Sequence, residues 1–281
     1  MPEFILPDVD KSKRKAVTTF MTNMAKAFDK EPWPYEKYVK DGLPNEAVIW
    51  GLLRGSDLMF RDALAEGKTF YYVDHAYLDS GHDRDSKRNK PIGKEYVTWY
   101  RIIRNGHQIT HWGMDKSAVD SSDRLEKYFN IELKPMKNTG DQVLILPPTN
   151  AIQKFFACED WTAQQLEKYK HENCIVREKP YNPKVQITDK GYMDKVDGPT
   201  DSSQGAFADA LARCKLIVTY NSNSLVNATI DGIPVDASEN SCWSIFEGNR
   251  LQWIKYLAHC QHHSHEIDSG DWFDLCNKWQ S

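Results

Sequence analysis

The chain has 281 residues, of which 40% are hydrophobic, 27% charged and 12% aromatic. This composition excludes an intrinsically disordered chain, because enough apolar side chains are present to build one large or two modest cores. The net charge of −4 excludes a positive field over the whole protein that would gather nucleic acid without regard to sequence.

The first half predicts strands and helices in an order typical of an α/β domain. Apolar residues at helical spacing predict an amphipathic helix over residues 14–30. An apolar strand near 47–51, a helix near 57–66 closed by Gly67, and a strand near 69–73 follow. This order predicts a βαβ unit, whose strands are parallel and whose crossover is right-handed.

The end of the first half is less regular. A charged loop over 79–93 precedes a strand over 96–103, and the polar residues from about 113 to 140 are interpreted as a linker. The first domain is therefore assigned to residues 1–138.

The second half repeats the alternation of strands and helices. Its predicted elements are strand 142–146, helix 162–172, strand 174–180, helix 206–214, strand 215–220, helix 224–231 and a strand after Gly232. Residues 139–248 are therefore predicted to form a second α/β domain. Residues 249–281 are predicted to be a C-terminal segment, with one long helix over 249–267 that crosses back over the first domain.

The cysteines and the apolar runs indicate the compartment. All six cysteines lie in the second half of the chain without a Cys-x-x-Cys pair, which favours reduced thiols. No apolar run of 18 residues occurs, and the first residues lack the charge order of a secretory signal. A cytoplasmic protein without a membrane span is expected.

A polar turn precedes the predicted helix over 224–231. It holds Thr219, Asn221, Ser222, Asn223 and Ser224. One such residue is enough to cap a helix, and ligands of parallel sheets bind beyond the carboxyl ends of the strands, where helix N-termini attract phosphate. The surplus favours a bound polar ligand, although a capped helix with a Ser/Asn turn would have the same sequence.

Two cations stand at the end of strand 174–180. Arg177 and Lys179 would need no explanation as isolated surface charges. Combined with the polar turn, however, they place cations and phosphate-binding amides along one edge of the predicted sheet. The two features together predict a site for a diphosphate.

These residues form a pattern that resembles the donor domain of GT-B glycosyltransferases. It runs from Arg177-x-Lys-Pro through Ala-x-Cys-Lys-Leu-Ile-Val-Thr to the Asn-Ser-Asn-Ser turn and Gly-x-Pro-Val. It is similar to the capsule-polysaccharide and Kdo-transferase-like branch and to its phage-encoded relatives, over about residues 140–270 and only in outline before them. The resemblance implies an α/β fold of two Rossmann-like domains that face a cleft, and the host cytoplasm if the chain is phage-encoded.

The resemblance also implies how a nucleotide-sugar donor is held. Ser222, Asn223 and Ser224 would contact its phosphates. Arg177 and Lys179 would neutralise the leaving diphosphate, so that neither a metal ion nor a cofactor is needed beside the nucleotide sugar.

Thr219 and Asn227 complete the implied donor-binding set. Many family members carry an acidic residue at the position of Asn227, where it holds ribose or sugar hydroxyls. The amide of Asn227 can bind a hydroxyl but supplies no charge, so the identity of the donor stays open.

The acceptor is expected at the first domain. Asp74 and His75 follow strand 69–73, where a carboxylate or imidazole could take the proton from an attacking hydroxyl. Asp74 is either the base or the partner that orients His75, and a helix cap beside a structural histidine is the alternative. Further candidates for contact with substrate are Arg54, Arg101 and Arg104.

Several functions and partners remain open from the sequence. The acceptor is a surface or capsular glycan, or a hydroxymethylated base of phage DNA, for which Lys87, Arg88 and Lys90 could form a basic rim. A non-catalytic nucleotide- or carbohydrate-binding module and a sugar-nucleotide epimerase of the same fold are the other hypotheses.

Other cofactor chemistry finds little support in the sequence. Cys260, His262, His263 and His265 do not converge on one tetrahedral point if they lie on a helix, so no metal site is expected. The chain also lacks a Walker-type motif and a Gly-x-Gly-x-x-Gly motif after a strand, which disfavours an ATPase or a nicotinamide enzyme.

Overall fold

In the computed structural model, the described residues are 1–8, 15–78, 90–95, 97–110, 113–178 and 207–280. The chain divides into two compact units. Unit 1 comprises Met1–Ile131 together with Leu251–Ser281, and unit 2 comprises Glu132–Arg250. Unit 2 is therefore one continuous segment, inserted between the two segments that make up unit 1.

Strands and helices alternate along most of the described chain. The strands are β1 Glu3–Phe4, β2 Glu46–Trp50, β3 Thr69–His75, β4 Trp99–Arg104, β5 Gln142–Leu146, β6 Asn173–Val176, β7 Cys214–Thr219, β8 Val235–Ala237 and β9 Gln261–His263. The helices are α1 Lys15–Lys26, α2 Tyr35–Asp41, α3 Ser56–Glu66, α4 Lys116–Asp120, α5 Arg124–Tyr128, α6 Asn150–Phe156, α7 Trp161–Lys168, α8 Phe207–Arg213, α9 Ser224–Ile230, α10 Arg250–His259, α11 Ser264–Ser269 and α12 Asp271–Trp279. A 3-10 helix spans Cys242–Ile245.

Unit 1 contains a mixed five-stranded sheet in the order β1-β2-β3-β4-β9. Strands β1, β2 and β3 are parallel, whereas β4 is antiparallel to both of its neighbours. The predicted βαβ unit is present as β2-α3-β3. Gly67 closes α3 in the left-handed region at φ 62°, a conformation that glycine adopts without strain.

The core of unit 1 follows from the alternation of side chains along the strands. Tyr71 and Val73 project from one face of β3 into a cluster with Phe4, Val48 and Trp272. Successive strand residues point to opposite faces, so Tyr72 and Asp74 project from the other face. The last helix, α12, thus supplies Trp272 to the same core as the first strand.

Unit 2 contains a four-stranded parallel sheet in the order β6-β5-β7-β8. Val143 and Ile145 of β5 pack on one face with Trp161 of α7, and Leu144 and Leu146 pack on the other face. Residues 143–146 of this strand are all apolar because helices cover both faces, as is usual in parallel sheets. The fold is therefore mixed α/β, with parallel strands in both units.

Two predicted elements are corrected by the structure. The expected helix over 249–267 ends at His259, because residues 261–263 pair as β9 with β4 and their side chains are buried on both faces of the sheet. The expected linker over 113–140 begins with α4 and α5, which belong to unit 1. In both cases a contact distant in sequence decides the local structure.

Candidate functional site

The predicted donor residues Arg177 and Thr219 lie at the carboxyl ends of β6 and β7, the two strands that flank β5. Val176 of β6 and Val218 of β7 are both register partners of Ile145 on the central strand β5. Consequently Arg177 and Thr219 lie on either side of Leu146. The Arg177 backbone N–H donates to the Ile145 carbonyl at 2.9 Å, and the Thr219 hydroxyl donates to the Leu146 carbonyl at 3.3 Å.

The polar turn after β7 is built largely by its own side chains. The Ser222 N–H donates to Thr219 Oγ1 at 3.2 Å, and the Ser224 N–H donates to Ser222 Oγ at 3.2 Å. The Ser222 and Ser224 hydroxyl oxygens are 3.1 Å apart. Asn223 stands at the N-cap of α9 but makes no capping bond through its side chain. Some of the polar side chains therefore serve to shape the turn, which agrees with the alternative prediction of a capped helix with a Ser/Asn turn.

The Arg177 side chain packs against the start of α8. It is nearly buried, with 8% of the residue exposed, and its guanidinium carbon lies 5.4 Å from the ring centroid of Phe207 at the start of α8. A cation over an aromatic face is stabilised by the ring quadrupole. Lys179, the second predicted cation, lies outside the described residues.

Asn227 lies in the first turn of α9 and is half-buried between two buried neighbours, Val226 and Ala228. Its backbone carbonyl accepts from the Asp231 N–H at 2.9 Å. The helix therefore fixes the position of Asn227 relative to the polar turn.

Sequence reasoning missed polar residues that follow β5 and β8, the strands on either side of β7. Thr149 and Asn150 open α6 immediately after β5, and Asn240 after β8 donates to the Tyr220 hydroxyl at 2.8 Å. The sequence does indicate these positions after β5, because the apolar strand is followed by Pro-Pro and then by Thr149 and Asn150, residue types that often cap a helix. These residues extend the polar edge across the sheet.

Asp74 and His75 in unit 1 project to opposite faces of β3. Asp74 Oδ2 accepts from the Tyr72 hydroxyl at 2.7 Å and from Arg101 at 2.9 Å, and its Oδ1 accepts from the His75 backbone N–H at 2.8 Å. Burial by itself would raise the pKa of the Asp74 carboxyl, but Arg101 and Tyr72 outweigh it and leave this pKa below its ordinary value. Asp74 is therefore an ionised partner of Arg101.

His75 lies among aromatic rings on the other face. Its ring is edge-on to Trp50 with centroids 6.0 Å apart, and it is the register partner of Tyr100 on β4. Opposed residues of an antiparallel pair share a face, with Cβ atoms about 5 Å apart. His75 therefore stands where β2, β3 and β4 meet at one end of the sheet.

The three predicted substrate-contacting arginines have different surroundings. Arg101 is nearly buried and pairs with Asp74, which raises the pKa of its guanidinium against the lowering effect of burial. Arg104 is the register partner of Tyr71 and its backbone N–H donates to Gln280, so it lies about 13 Å along the strand from the partner of His75. Arg54 follows β2 in the left-handed region at φ 63°.

The basic rim proposed for a DNA acceptor is described only at Lys90. Its side chain donates to the Glu126 carbonyl and its backbone N–H to the Tyr128 carbonyl. Lys87 and Arg88 lie outside the described residues. Lys90 therefore fastens the chain to α5.

Two kinds of feature are absent from the described residues, a group of metal-binding side chains and a membrane-spanning helix. No three His, Cys, Asp or Glu side chains among the described residues are grouped so that they could hold a metal ion. Of the helices in the described ranges, none is long and apolar enough to cross a membrane.

Comparisons with known proteins found solved structures that align over almost the whole chain but with low structural similarity. No protein-family model matches the sequence, and no curated protein matches it. Two solved structures from Thermosulfurimonas dismutans align over 98% of this chain. They are the KpsC beta Kdo 2,4 transferase, with a TM-score of 0.45 and 10% identity over 98% of that chain, and the KpsC beta Kdo 2,7 transferase, with a TM-score of 0.40 and 11% identity over 99% of that chain. At these values the similarity carries no functional argument.

Proposed function

We propose that the protein is a glycosyltransferase that moves a sugar from a nucleotide-sugar donor to a hydroxyl acceptor. The observation that carries the proposal is the position of Arg177 and Thr219, which lie at the carboxyl ends of β6 and β7 and flank Leu146. A cation and a hydroxyl-rich turn thus share the edge of a parallel sheet where ligands bind. The same residues form the motif that resembles GT-B donor domains.

Unit 2 is the proposed donor-binding unit. The Arg177 guanidinium can donate two parallel hydrogen bonds to a phosphate, and Ser222 and Ser224 can donate through their hydroxyls. Lys179 is proposed as a second cation and Asn227 as a ligand of a sugar or ribose hydroxyl. Fixed positive charge stabilises the diphosphate as it leaves, so the proposed reaction uses no metal ion.

Unit 1 is the proposed acceptor-binding unit, with His75 as the general base. The acceptor oxygen attacks the anomeric carbon, the bond from that carbon to the diphosphate oxygen breaks, and the acceptor proton passes to the His75 imidazole. A carboxylate with a lowered pKa is a weak base, which disfavours Asp74 for this step. Asp74 is instead proposed as a positioning residue that holds Arg101 and the end of β3.

Nucleotide binding tests the donor side. UDP, GDP and CMP are titrated into the full chain by calorimetry, together with the variants Arg177→Ala and Arg213→Ala. Arg213 is an exposed arginine beyond the opposite, amino end of β7, so its replacement matches the charge change. Loss of a charge-assisted hydrogen bond is expected to weaken binding about 10- to 100-fold in Arg177→Ala only.

Two outcomes would overturn the donor assignment. One is that the wild-type chain binds no nucleotide, and the other is that both variants bind as the wild type does. A third outcome, nucleotide binding without transfer or hydrolysis of any nucleotide sugar, would favour the non-catalytic binding module that the uncharged Asn227 keeps open.

A further inference from the structure

An open groove of about 600 Å³ lies within unit 1, between α1, α11 and the start of β4. Its lining residues are Ala16, Thr19, Phe20, Asn23, Thr98, Tyr100, Ser264, Ile267 and Asp268. Aromatic and short polar side chains therefore share one concave surface. The volume is in the range of small-molecule binding sites.

The apolar part of the groove contains two aromatic rings. Phe20 and Tyr100 are half-buried, and their ring centroids are 4.4 Å apart with the planes tilted by 42°. Ile267 is buried beneath the groove as part of the same core cluster. Rigid aromatic rings present a large amphipathic surface, which suits the C–H faces of a sugar ring.

The polar part of the groove is made of hydroxyls, one amide and one carboxylate. Thr19, Asn23, Thr98 and Asp268 are exposed, and Ser264 is half-buried. The side chains of these five make no hydrogen bond and no ion pair with one another or with any other residue that the structure describes. They are therefore available to a ligand that both donates and accepts hydrogen bonds, as sugar hydroxyls do.

The described lining residues of the groove carry one negative charge. Asp268 supplies a carboxylate, and no lysine or arginine is among the described lining residues. Burial and then the nearby Asp268 carboxylate raise the pKa of Tyr100, so its hydroxyl stays protonated at neutral pH. A phosphate or another anion would be repelled by Asp268 without a cation to compensate.

The groove adjoins His75. Tyr100, which lines the groove, is the register partner of His75 and lies on the same face of the sheet. Trp50 bridges the two, with its ring centroid 6.0 Å from those of His75 and Tyr100. A ligand bound along Phe20 and Tyr100 would therefore lie next to the rings that pack around His75.

We infer that this groove binds an uncharged oligosaccharide and is the acceptor site of unit 1. The role as acceptor site rests on the proposed transferase function, whereas binding in the groove does not. The chemistry favours a glycan over the alternative acceptor, a base in DNA. A polynucleotide would bring phosphates to Asp268 and would need a basic rim.

Direct binding measurements test the inference without turnover. The full chain is applied to an array of neutral oligosaccharides, anionic oligosaccharides and a 12-nucleotide single-stranded DNA, and hits are titrated by calorimetry. We expect at least one neutral oligosaccharide to bind at least tenfold more tightly than any anionic probe. Asn23→Ala and Asp268→Asn should each weaken that binding about 5- to 10-fold, as the loss of one hydrogen bond predicts.

The substituted residues are exposed, so that a loss of binding is not caused by a loss of folding. Asn23 and Asp268 are exposed, and Asp274→Asn on the neighbouring helix α12 repeats the charge change at an exposed position outside the groove. Asp274→Asn should bind as the wild type does. Asp268→Asn should also narrow the preference for neutral over anionic probes.

Each result decides between the two proposals. Oligosaccharide binding that depends on Asn23 and Asp268, without transfer from any nucleotide sugar, would support the groove and overturn the transferase. Three results would overturn the groove as the acceptor site. The first is transfer activity that is unchanged in both variants, and the second is binding of the DNA probe. The third is binding of neutral glycans that Asp268→Asn and Asp274→Asn alter equally.

Discussion

The ion pair between Asp74 and Arg101 gives the first prediction at the scale of single residues. Arg101 is nearly buried, and the Asp74 side chain is 27% exposed. Asp74→Asn removes the anion and leaves the guanidinium with an uncharged partner, which should lower the free energy of unfolding by about 2 kcal/mol at pH 7. Urea unfolding followed by tryptophan fluorescence measures this change.

The pH dependence of that loss has a definite sign. The folded-state pKa of Asp74 is lowered, so the stabilisation is present above the unfolded-state pKa of about 3.9 and is lost as the pH falls through the folded-state pKa. The difference between wild type and Asp74→Asn should be constant from pH 8 to pH 5 and shrink below about pH 4. A difference equal to that of the exposed control Asp41→Asn would contradict the ion-pair account.

His75 gives the second prediction at this scale. His75→Gln should reduce transfer at least 100-fold, because a general base contributes about 10²- to 10⁴-fold. Nucleotide binding should stay within twofold of the wild type, because the proposed donor-binding residues belong to unit 2. His265→Gln, at an exposed histidine of unit 1, is the control and should transfer normally. Normal turnover in His75→Gln would remove His75 from the mechanism.

These two residues also show what the sequence could and could not indicate. Adjacent positions made Asp74 and His75 look like a base and its orienting partner. The predicted strand ended at residue 73, whereas β3 continues to His75, and strand alternation then separates the side chains. The pairing of Asp74 with Arg101 depends on β4 lying antiparallel to β3, which is a tertiary contact that no local pattern contains.

At the scale of elements, local signals predicted well where packing agreed with them. Strand β5 and the helix α3 with its closing Gly67 were predicted within a residue. Arg177 was predicted within the last residues of strand 174–180, whereas β6 ends at Val176 and Arg177 follows it. The expected helix over 249–267 was wrong, because its apolar spacing continues through β9, where pairing with β4 determines the backbone.

The start of α11 gives the prediction at this scale. His263 is its N-cap, and its Nδ1 accepts from the Glu266 backbone N–H at 3.3 Å, which requires a neutral ring. Burial lowers the pKa of His263 to about 4, with Glu266 opposing the shift and Arg124 adding to it. The His263 ring is therefore protonated near pH 6.5 in the unfolded chain but only near pH 4 in the folded chain.

Stability should therefore fall as the pH is lowered through that window. The contribution of His263 is complete above about pH 6.5 and is lost by about pH 4, a change of about 2 to 3 kcal/mol. His263→Asn keeps a capping oxygen but cannot titrate, so its unfolding free energy should fall less between pH 7 and pH 4. The exposed control His265→Asn should follow the wild type, and parallel curves for all three proteins would contradict this account.

At the scale of the whole molecule, the chain leaves unit 1 after residue 131 and returns to it at residue 251. The returning segment supplies β9 to the sheet and Trp272 to the core. A buried ion pair joins the two segments. Arg124 of α5, 4% exposed, donates to both carboxylate oxygens of Glu266 at 2.7 and 2.6 Å, and to the Gln261 carbonyl at 2.7 Å.

A double-mutant cycle measures how much the Arg124–Glu266 ion pair contributes to the free energy of unfolding. Burial would raise the pKa of Glu266, but Arg124 and His262 hold it well below the ordinary value, so the pair is ionic at neutral pH. Arg124→Met and Glu266→Leu should each cost about 3 to 5 kcal/mol, because each leaves one buried charge without its partner. The double variant should cost less than the sum by about 2 kcal/mol or more.

The exposed pair Lys170–Glu167, with N and O atoms 2.6 Å apart, is the matched control. Its coupling should stay below about 0.5 kcal/mol, since solvent screens both charges. Both cycles use urea unfolding at pH 7 and low salt. If the Arg124–Glu266 coupling were as small as that of the exposed pair, the returning segment would be held by its apolar contacts and by the pairing of β9 with β4, and the ion pair would add little.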